Sequence, residues 1–261
     1  MHQDVQDLRN FYYRNALGRA VQSILREEIN SVWPEAKGQT VIGFGFATPF
    51  LKPYLPESRR VIAMMPAPQG VIRWPKNDPN VSVLCEETHW PIETGHVDKL
   101  LVVHGLETSD RPGRLLDECW RVLGPGGSAL FIVPNRAGLW SRSDATPFGF
   151  GRPYSQTQLE GTLKSHNFLP ETHITTLYQP PSNRRAWRKL SNVLERFGGK
   201  LSFIVAGGVL IVHASKRIQA PSSGSGIRDR VRKPLEVLAP KPKPEVTRAP
   251  APITNKLPDQ E

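Results

Sequence analysis

The chain is short of the residues that would place it in several structural classes. It has two cysteines in 261 residues, Cys85 and Cys119, with no CxxC pair and no histidine at metal-ligand spacing. This argues against a disulfide scaffold and a structural zinc site, and no metal site is expected. A reducing, cytoplasmic setting is expected. No apolar run approaches the roughly 18 residues of a membrane-crossing helix, so no transmembrane span is expected. The opening MHQDVQDLRNFYY is polar and acidic, unlike a signal peptide. Apolar residues make up 38% of the chain, below the usual globular share, and the shortage concentrates in a proline-rich C-terminal stretch.

Net charge is +10, and half of it comes from residues 215–261, which hold 10 Lys/Arg, 5 Asp/Glu and 8 Pro. SSGSG at 222–226 reads as a flexible linker, and APKPKPEVTRAPAP at 239–252 favours polyproline II and cannot bury a core. The expected division is an N-terminal helical cap at 1–35, an α/β domain at 36–215 and a disordered Pro/basic tail at 216–261. A basic balance permits an acidic or nucleic-acid partner but does not choose a fold.

Residues 4–30 predict one helix, because Leu8, Phe11, Tyr12, Leu17, Val21, Ile24 and Leu25 recur at helical spacing, with Asp4 and Asp7 at its positive end. Trp33-Pro34 and Gly38 then break the chain. Short apolar strands are expected at Thr40–Phe46, Arg60–Met65, Asn80–Cys85, Lys99–His104 and Ser128–Val133. Helices are expected from Phe50 to Tyr54, across Arg111–Val122 and across Gln156–His166. Strands at Thr172–Tyr178 and Gly208–Ala214 flank a basic amphipathic helix, Arg184–Phe197, with Trp187, Leu190, Leu194 and Phe197 on its apolar stripe. Strands alternating with helices imply an α/β fold: a doubly wound, mostly parallel sheet with helices on both faces and an antiparallel edge strand.

Three segments carry the chemistry. TVIGFGFATPF (40–50) runs a strand into small residues that let backbone approach a ligand above the strand's carboxyl end. Glu86-Glu87-Thr88-His89-Trp90-Pro91 precedes Val97-Asp98 and the fourth strand. Leu123-Gly124-Pro125-Gly126-Gly127 is a hinge between helix and strand. A nicotinamide-binding domain would want a third glycine in the first turn and an acid after the second strand, and both are missing.

In this order the segments resemble class I (Rossmann-like) S-adenosylmethionine-dependent methyltransferases of the UbiE/type 11 kind, in a divergent bacterial form. The family's strand-Asp-x-Gly-x-Gly-x-Gly motif falls in register with Ile42–Pro49. Its acidic-x-x-x-apolar-Pro motif matches Glu86–Pro91, and its L-x-P-G-G turn matches Leu123–Gly127. The resemblance covers about residues 35–135 and makes 36–215 a class I methyltransferase-like domain. It departs from the family at Gly43, where an acid is usual, at Ala47 and Pro49, which replace glycines, and at Ile62–Pro66, which lacks the carboxylate that bonds the ribose hydroxyls.

The resemblance implies S-adenosyl-L-methionine as cofactor and methyl transfer to an unidentified acceptor. The residues it places around the cofactor are Gly43, Phe44, Gly45, Phe46, Ala47, Met64, Met65, Glu86, Glu87, His104 and Gly105. His104 and Glu107, at the end of the fourth strand, are the candidates to orient an acceptor or take its proton. Asn135 and Arg136 follow the fifth strand, and the long aromatic stretch 137–154 reads as a substrate lid. Acceptor contacts are expected from Tyr12, Asn135, Arg136, Trp140, Arg152 and Tyr154. Two other functions fit the sequence. One is a binding or scaffold protein on a degenerate methyltransferase fold. The other is an RNA-associated protein, or one that holds an acidic partner, using helix 184–197 and the tail.

Overall fold

The computed structural model describes residues 3–181 and 206–217. The basic helix expected at 184–197 lies outside them, as does the expected tail from residue 218 onward. Seven strands form one sheet: β1 (Thr40–Gly45), β2 (Arg60–Pro66), β3 (Ser82–Cys85), β4 (Val97–Val103), β5 (Leu123–Pro134), β6 (Phe168–Thr176) and β7 (Val209–Lys216). The order is β3-β2-β1-β4-β5-β7-β6. Neighbours among the first five strands pair in parallel, while β7 runs antiparallel to both β5 and the edge strand β6. This is the doubly wound sheet with an antiparallel edge that the alternation of strands and helices implies. The chain order reverses between β1 and β4, and in such sheets ligands bind at the carboxyl ends of the strands beside that point.

Strand side chains alternate between two apolar layers. Val41, Ala63, Met65, Leu101, Val103, Leu130 and Ile132 face the layer that contains the N-terminal helices. Ile42, Phe44, Met64, Leu100, Val102, Phe131 and Val133 face the layer under helices α4 (Pro112–Val122) and α5 (Gln156–Ser165). Both layers are buried, and strands buried on two faces need no polar alternation.

The N-terminal segment is not the single helix expected. It is α1 (Val5–Arg9), a π-helical turn at Asn10–Arg14, and α2 (Ala16–Val32). Asn15 makes the break. Its backbone is extended, at φ −84 and ψ 138, and its side chain accepts from the Leu17 N–H to cap α2. Gly18 completes the fold-back, because a Cβ there would collide with the Phe11 carbonyl. Apolar periodicity continues across the break, which is why the sequence reads as one helix.

Other boundaries shift for local reasons. Helix α3 (Thr48–Leu51) starts two residues before Phe50, with Pro49 in its first turn. The hinge at Gly124–Gly127 belongs to β5, as a bulge between the Val97–Leu123 and Lys99–Ser128 pairs. Strand β6 begins at Phe168, not Thr172. The connection from β2 to β3 has no helix. It is irregular chain in which the Trp74 N–H is held by Asn80 Oδ1 and Ser82 Oγ.

Candidate active site

The carboxyl ends of β1 and β4 meet at Gly45. Its φ is +80, and a Cβ there would strike the Val103 carbonyl. The Phe46 N–H donates to that same carbonyl at 2.8 Å, carrying the β1–β4 ladder one step beyond the sheet. Gly45 therefore serves close backbone approach, as the small-residue motif suggests, but the neighbour it admits is β4. Gly43 has a similar origin. A Cβ there would lie 2.5 Å from Ala47 Cβ and 2.7 Å from Leu51 Cδ1. An acid at position 43 would push α3 off the strand, so the missing carboxylate is the counterpart of tight α3–β1 packing.

The other candidates divide by sheet face. Phe44 and Met64 lie in the layer under α4, where Phe44 stacks on Trp90 at 4.8 Å and leaves no room for a Cβ at Gly105. Phe46, Ala47 and Met65 lie in the opposite layer with Tyr12. Glu86 is exposed and pairs with His89, while Glu87 is half-buried with Oε1 unpartnered among the described residues.

His104 follows β4 with a left-handed backbone, φ 51, a strained setting for a non-glycine residue. Its ring is buried between three elements. Nδ1 lies 3.1 Å from Glu107 Oε1, Nε2 lies 2.7 Å from the Tyr12 hydroxyl, and the Phe148 ring sits 4.8 Å away. Burial and the Glu107 charge push the Tyr12 hydroxyl well above its ordinary pKa, so it stays protonated and donates. Nε2 is then the acceptor, and Nδ1–H donates to the carboxylate. The result is a buried relay, Tyr12 to His104 to Glu107. Glu107 Oε2 has no partner among the described residues, and neither has Gln69 Nε2 in the turn after β2. No sequence pattern marks Gln69, which is buried yet sits in an irregular turn.

Tyr12 closes the rim from above. It stacks on Phe46 at 5.8 Å, meets Phe50 edge-on at 5.6 Å and is fully buried. Its segment is pinned where the Val5 N–H donates to the Gln69 carbonyl at 2.9 Å.

The aromatic stretch after β5 packs onto this relay from the other side. Trp140 is buried and donates from Nε1 to the Gln179 carbonyl at 2.7 Å. Gly151, at φ +79, passes against the Glu107 carbonyl, which accepts from the Arg152 N–H at 2.7 Å. Asn135 uses both ends of its amide on backbone, donating to the Gly207 carbonyl and accepting from the Ala137 N–H. Arg136 is exposed and donates to the Pro153 carbonyl. Tyr154 bridges to Asn135, and its hydroxyl is raised in pKa by burial and by the Glu107 charge. The structure thus brings Tyr12, His104, Glu107 and the Phe148 loop together, with Tyr154 close enough to feel the Glu107 charge. It places Arg136 and Glu86 outward, and Phe44 and Met64 on the far face.

Among the described residues no group of His, Cys, Asp or Glu is arranged to hold a metal ion, and no helix is long and apolar enough to cross a membrane. Both thiols are free and buried, and burial pushes Cys85 up to about 12.

Residues 41–131 match the family model of the methyltransferase domain. No curated protein matches the chain in sequence. Among solved structures, an S-adenosylmethionine-dependent methyltransferase of Thermotoga maritima is similar at 17% identity and TM-score 0.56, covering 82% of this chain and 96% of its own. A methyltransferase of Archaeoglobus fulgidus aligns at 16% identity and TM-score 0.53, covering 82% and 100%. Geranyl diphosphate C-methyltransferase of Streptomyces coelicolor, solved with S-adenosyl-L-homocysteine, aligns at 17% identity and TM-score 0.52, covering 75% and 77%. The family match falls on β1 through β5. Residues 41–131 thus match a methyltransferase domain in sequence, and the described residues share the fold of methyltransferases.

Proposed function

We propose that the chain binds S-adenosyl-L-methionine at the β1–β4 rim and methylates a small acceptor there, with His104 as the group that takes the acceptor's proton. The observation that carries this is the buried Tyr12–His104–Glu107 relay at the switch point of a methyltransferase sheet. The rim fits the cofactor in its hydrogen-bonding chemistry. Gln69 and Glu107 hold buried polar atoms with no partner among the described residues, so a polar ligand would satisfy them. Gln69, in the turn after β2, supplies an amide where Ile62–Pro66 offers no carboxylate. The cofactor, when bound, supplies an electrophilic methyl group on a sulfonium.

The protein's part is alignment and proton handling. Glu107 fixes the His104 tautomer, which leaves Nε2 free to accept. The Tyr12 hydroxyl stands 2.7 Å from Nε2, where an acceptor's O–H or N–H would stand. Tyr12 thus occupies the acceptor's place, and opening the rim means lifting residues 5–14. The loop 137–154 keeps water from the relay. The buried, unpaired thiols suit a cytoplasmic enzyme.

Calorimetry of the full chain with S-adenosylmethionine and S-adenosylhomocysteine tests this reading. Binding that is lost in Gln69→Ala is expected, and no binding at high micromolar ligand overturns it. The second reading, a binding scaffold without turnover, is favoured by one observation: β2 ends in Met64-Met65-Pro66 with no carboxylate, under a rim that Tyr12 closes. It predicts that neither compound binds while the fold stays intact.

A further inference from the structure

The N-terminal segment lines a second site besides the relay. Between it, the start of α3 and the irregular β2–β3 connection lies a cleft of about 800 Å³. Six cationic side chains line it: Arg9, Arg14, Arg26, Lys52, Arg73 and Lys76. Asp78 is the one acid in the lining. None of the recorded ion pairs of the described residues involves any of the six. Arg26 Nη2 donates to the Pro49 carbonyl at 2.6 Å and Arg73 Nη2 to the Asp78 carbonyl at 3.2 Å, so both are held by backbone and keep their charge unneutralised.

Like charges gathered around one concavity repel each other, and a compact chain gathers them at a cost that an anion relieves. Two further observations point to a ligand. Thr48, 1% exposed and part of the lining, has a hydroxyl near the Tyr13 phenol and no other partner among the described residues. Arg26 Nε, also buried, has none. The cleft has an aromatic wall as well, made of Trp74 and the partly exposed Tyr13.

We infer that this cleft binds a small organic polyanion, a compound carrying two or more phosphates beside an apolar or aromatic body. Arginine forks and a buried hydroxyl suit phosphate oxygens, and the Trp74–Tyr13 wall suits the body. The size of the cleft matches a metabolite better than a nucleic-acid strand. Its lining shares no residue with the Tyr12–His104–Glu107 relay, and binding there does not depend on methyl transfer.

The test uses the full chain and pyrophosphate as probe, by calorimetry at low and high salt. Binding that weakens at high salt is expected, with affinity at least about tenfold lower in Arg73→Gln and in Arg14→Gln. Thr48→Val is expected to weaken it further, and thermal melts confirm that the variants fold. Absence of pyrophosphate binding up to about 10 mM, or equal binding by wild type and both arginine variants, overturns the proposal. So does a single-stranded RNA that binds tightly and is not displaced by pyrophosphate. S-adenosylhomocysteine binding by Arg73→Gln, which lies outside the 5–14 segment, stays at the wild-type level, so failure here and failure of the methyltransferase reading give different results.

Discussion

Tyr12 and Tyr13 are neighbours in the chain and opposites in the fold. Tyr12 is fully buried, stacked on Phe46 and bonded to His104, while Tyr13 is 40% exposed on the wall of the cationic cleft. Both phenols are raised in pKa, and for both burial is the largest cause. Around Tyr12 the Glu107 charge adds to the rise. Around Tyr13 the nearby Thr48 hydroxyl, then the charges of Arg26 and Arg9 and the Trp74 side chain, work against it. Adjacent residues therefore face a buried site beside the Glu107 charge and an open cleft lined by cations. The contrast teaches that polarity alone does not mark a site: the rim has already satisfied most of its groups internally, and the cleft has not.

The sharpest way to break the comparison is at the rim's backbone. Gly45→Ala puts a Cβ into the Val103 carbonyl at a left-handed φ, so a loss of at least about 4 kcal/mol is expected, read by urea unfolding. An unchanged midpoint would mean that the β1–β4 contact is looser than described. Next comes His104→Ala, which leaves Glu107 buried and unpaired. We expect a loss of about 3–5 kcal/mol, partly recovered by combining it with Glu107→Gln.

The tyrosines themselves give the third test. Tyr12→Phe should cost about 1–3 kcal/mol, because His104 Nε2 is left without its donor. Tyr13→Phe should stay within about 0.5 kcal/mol, and equal effects would erase the distinction between the two regions.

The smallest effects are in pH. A phenol whose folded pKa is raised stabilises the fold below its unfolded value, near 10 for both tyrosines, and that contribution is lost as pH rises through the folded value. Ultraviolet titration should find Tyr13 ionising before Tyr12. His213 has the opposite sign. Burial lowers it from its ordinary 6.5, so its contribution is present above that pH and fades as pH falls through the lower folded value.

Much of the sheet was legible because its central strands β1, β4 and β5 are apolar, and β1, β2 and β5 end at a glycine or a proline. The seven strands and their parallel sense followed from strands alternating with helices, and the antiparallel edge from the long connection between the last two strands. The break at Asn15 was not legible, since Phe11, Tyr12 and Leu17 keep helical spacing through it. His104 and Glu107 were marked by their place after β4, but the Tyr12 contact joins residues 92 apart and no local pattern foretells it. Gly43 was read as a missing acid, and only the packing of Ala47 and Leu51 explains it. The cationic cleft was invisible for a different reason. Its arginines and lysines come from four separate segments with no run among them, so folding alone assembles the patch.

The π-helical turn at Asn10–Arg14 acts as a phase-setter. An α-helix advances about 100° per residue, and the one residue added by a wide turn rotates everything after it by that amount relative to what precedes it. Shortening the turn by one residue would turn Asn15 and α2 relative to α1 and swing one of the two tyrosines off its face. A single-residue deletion would then cost the molecule a whole surface, out of proportion to the contacts removed.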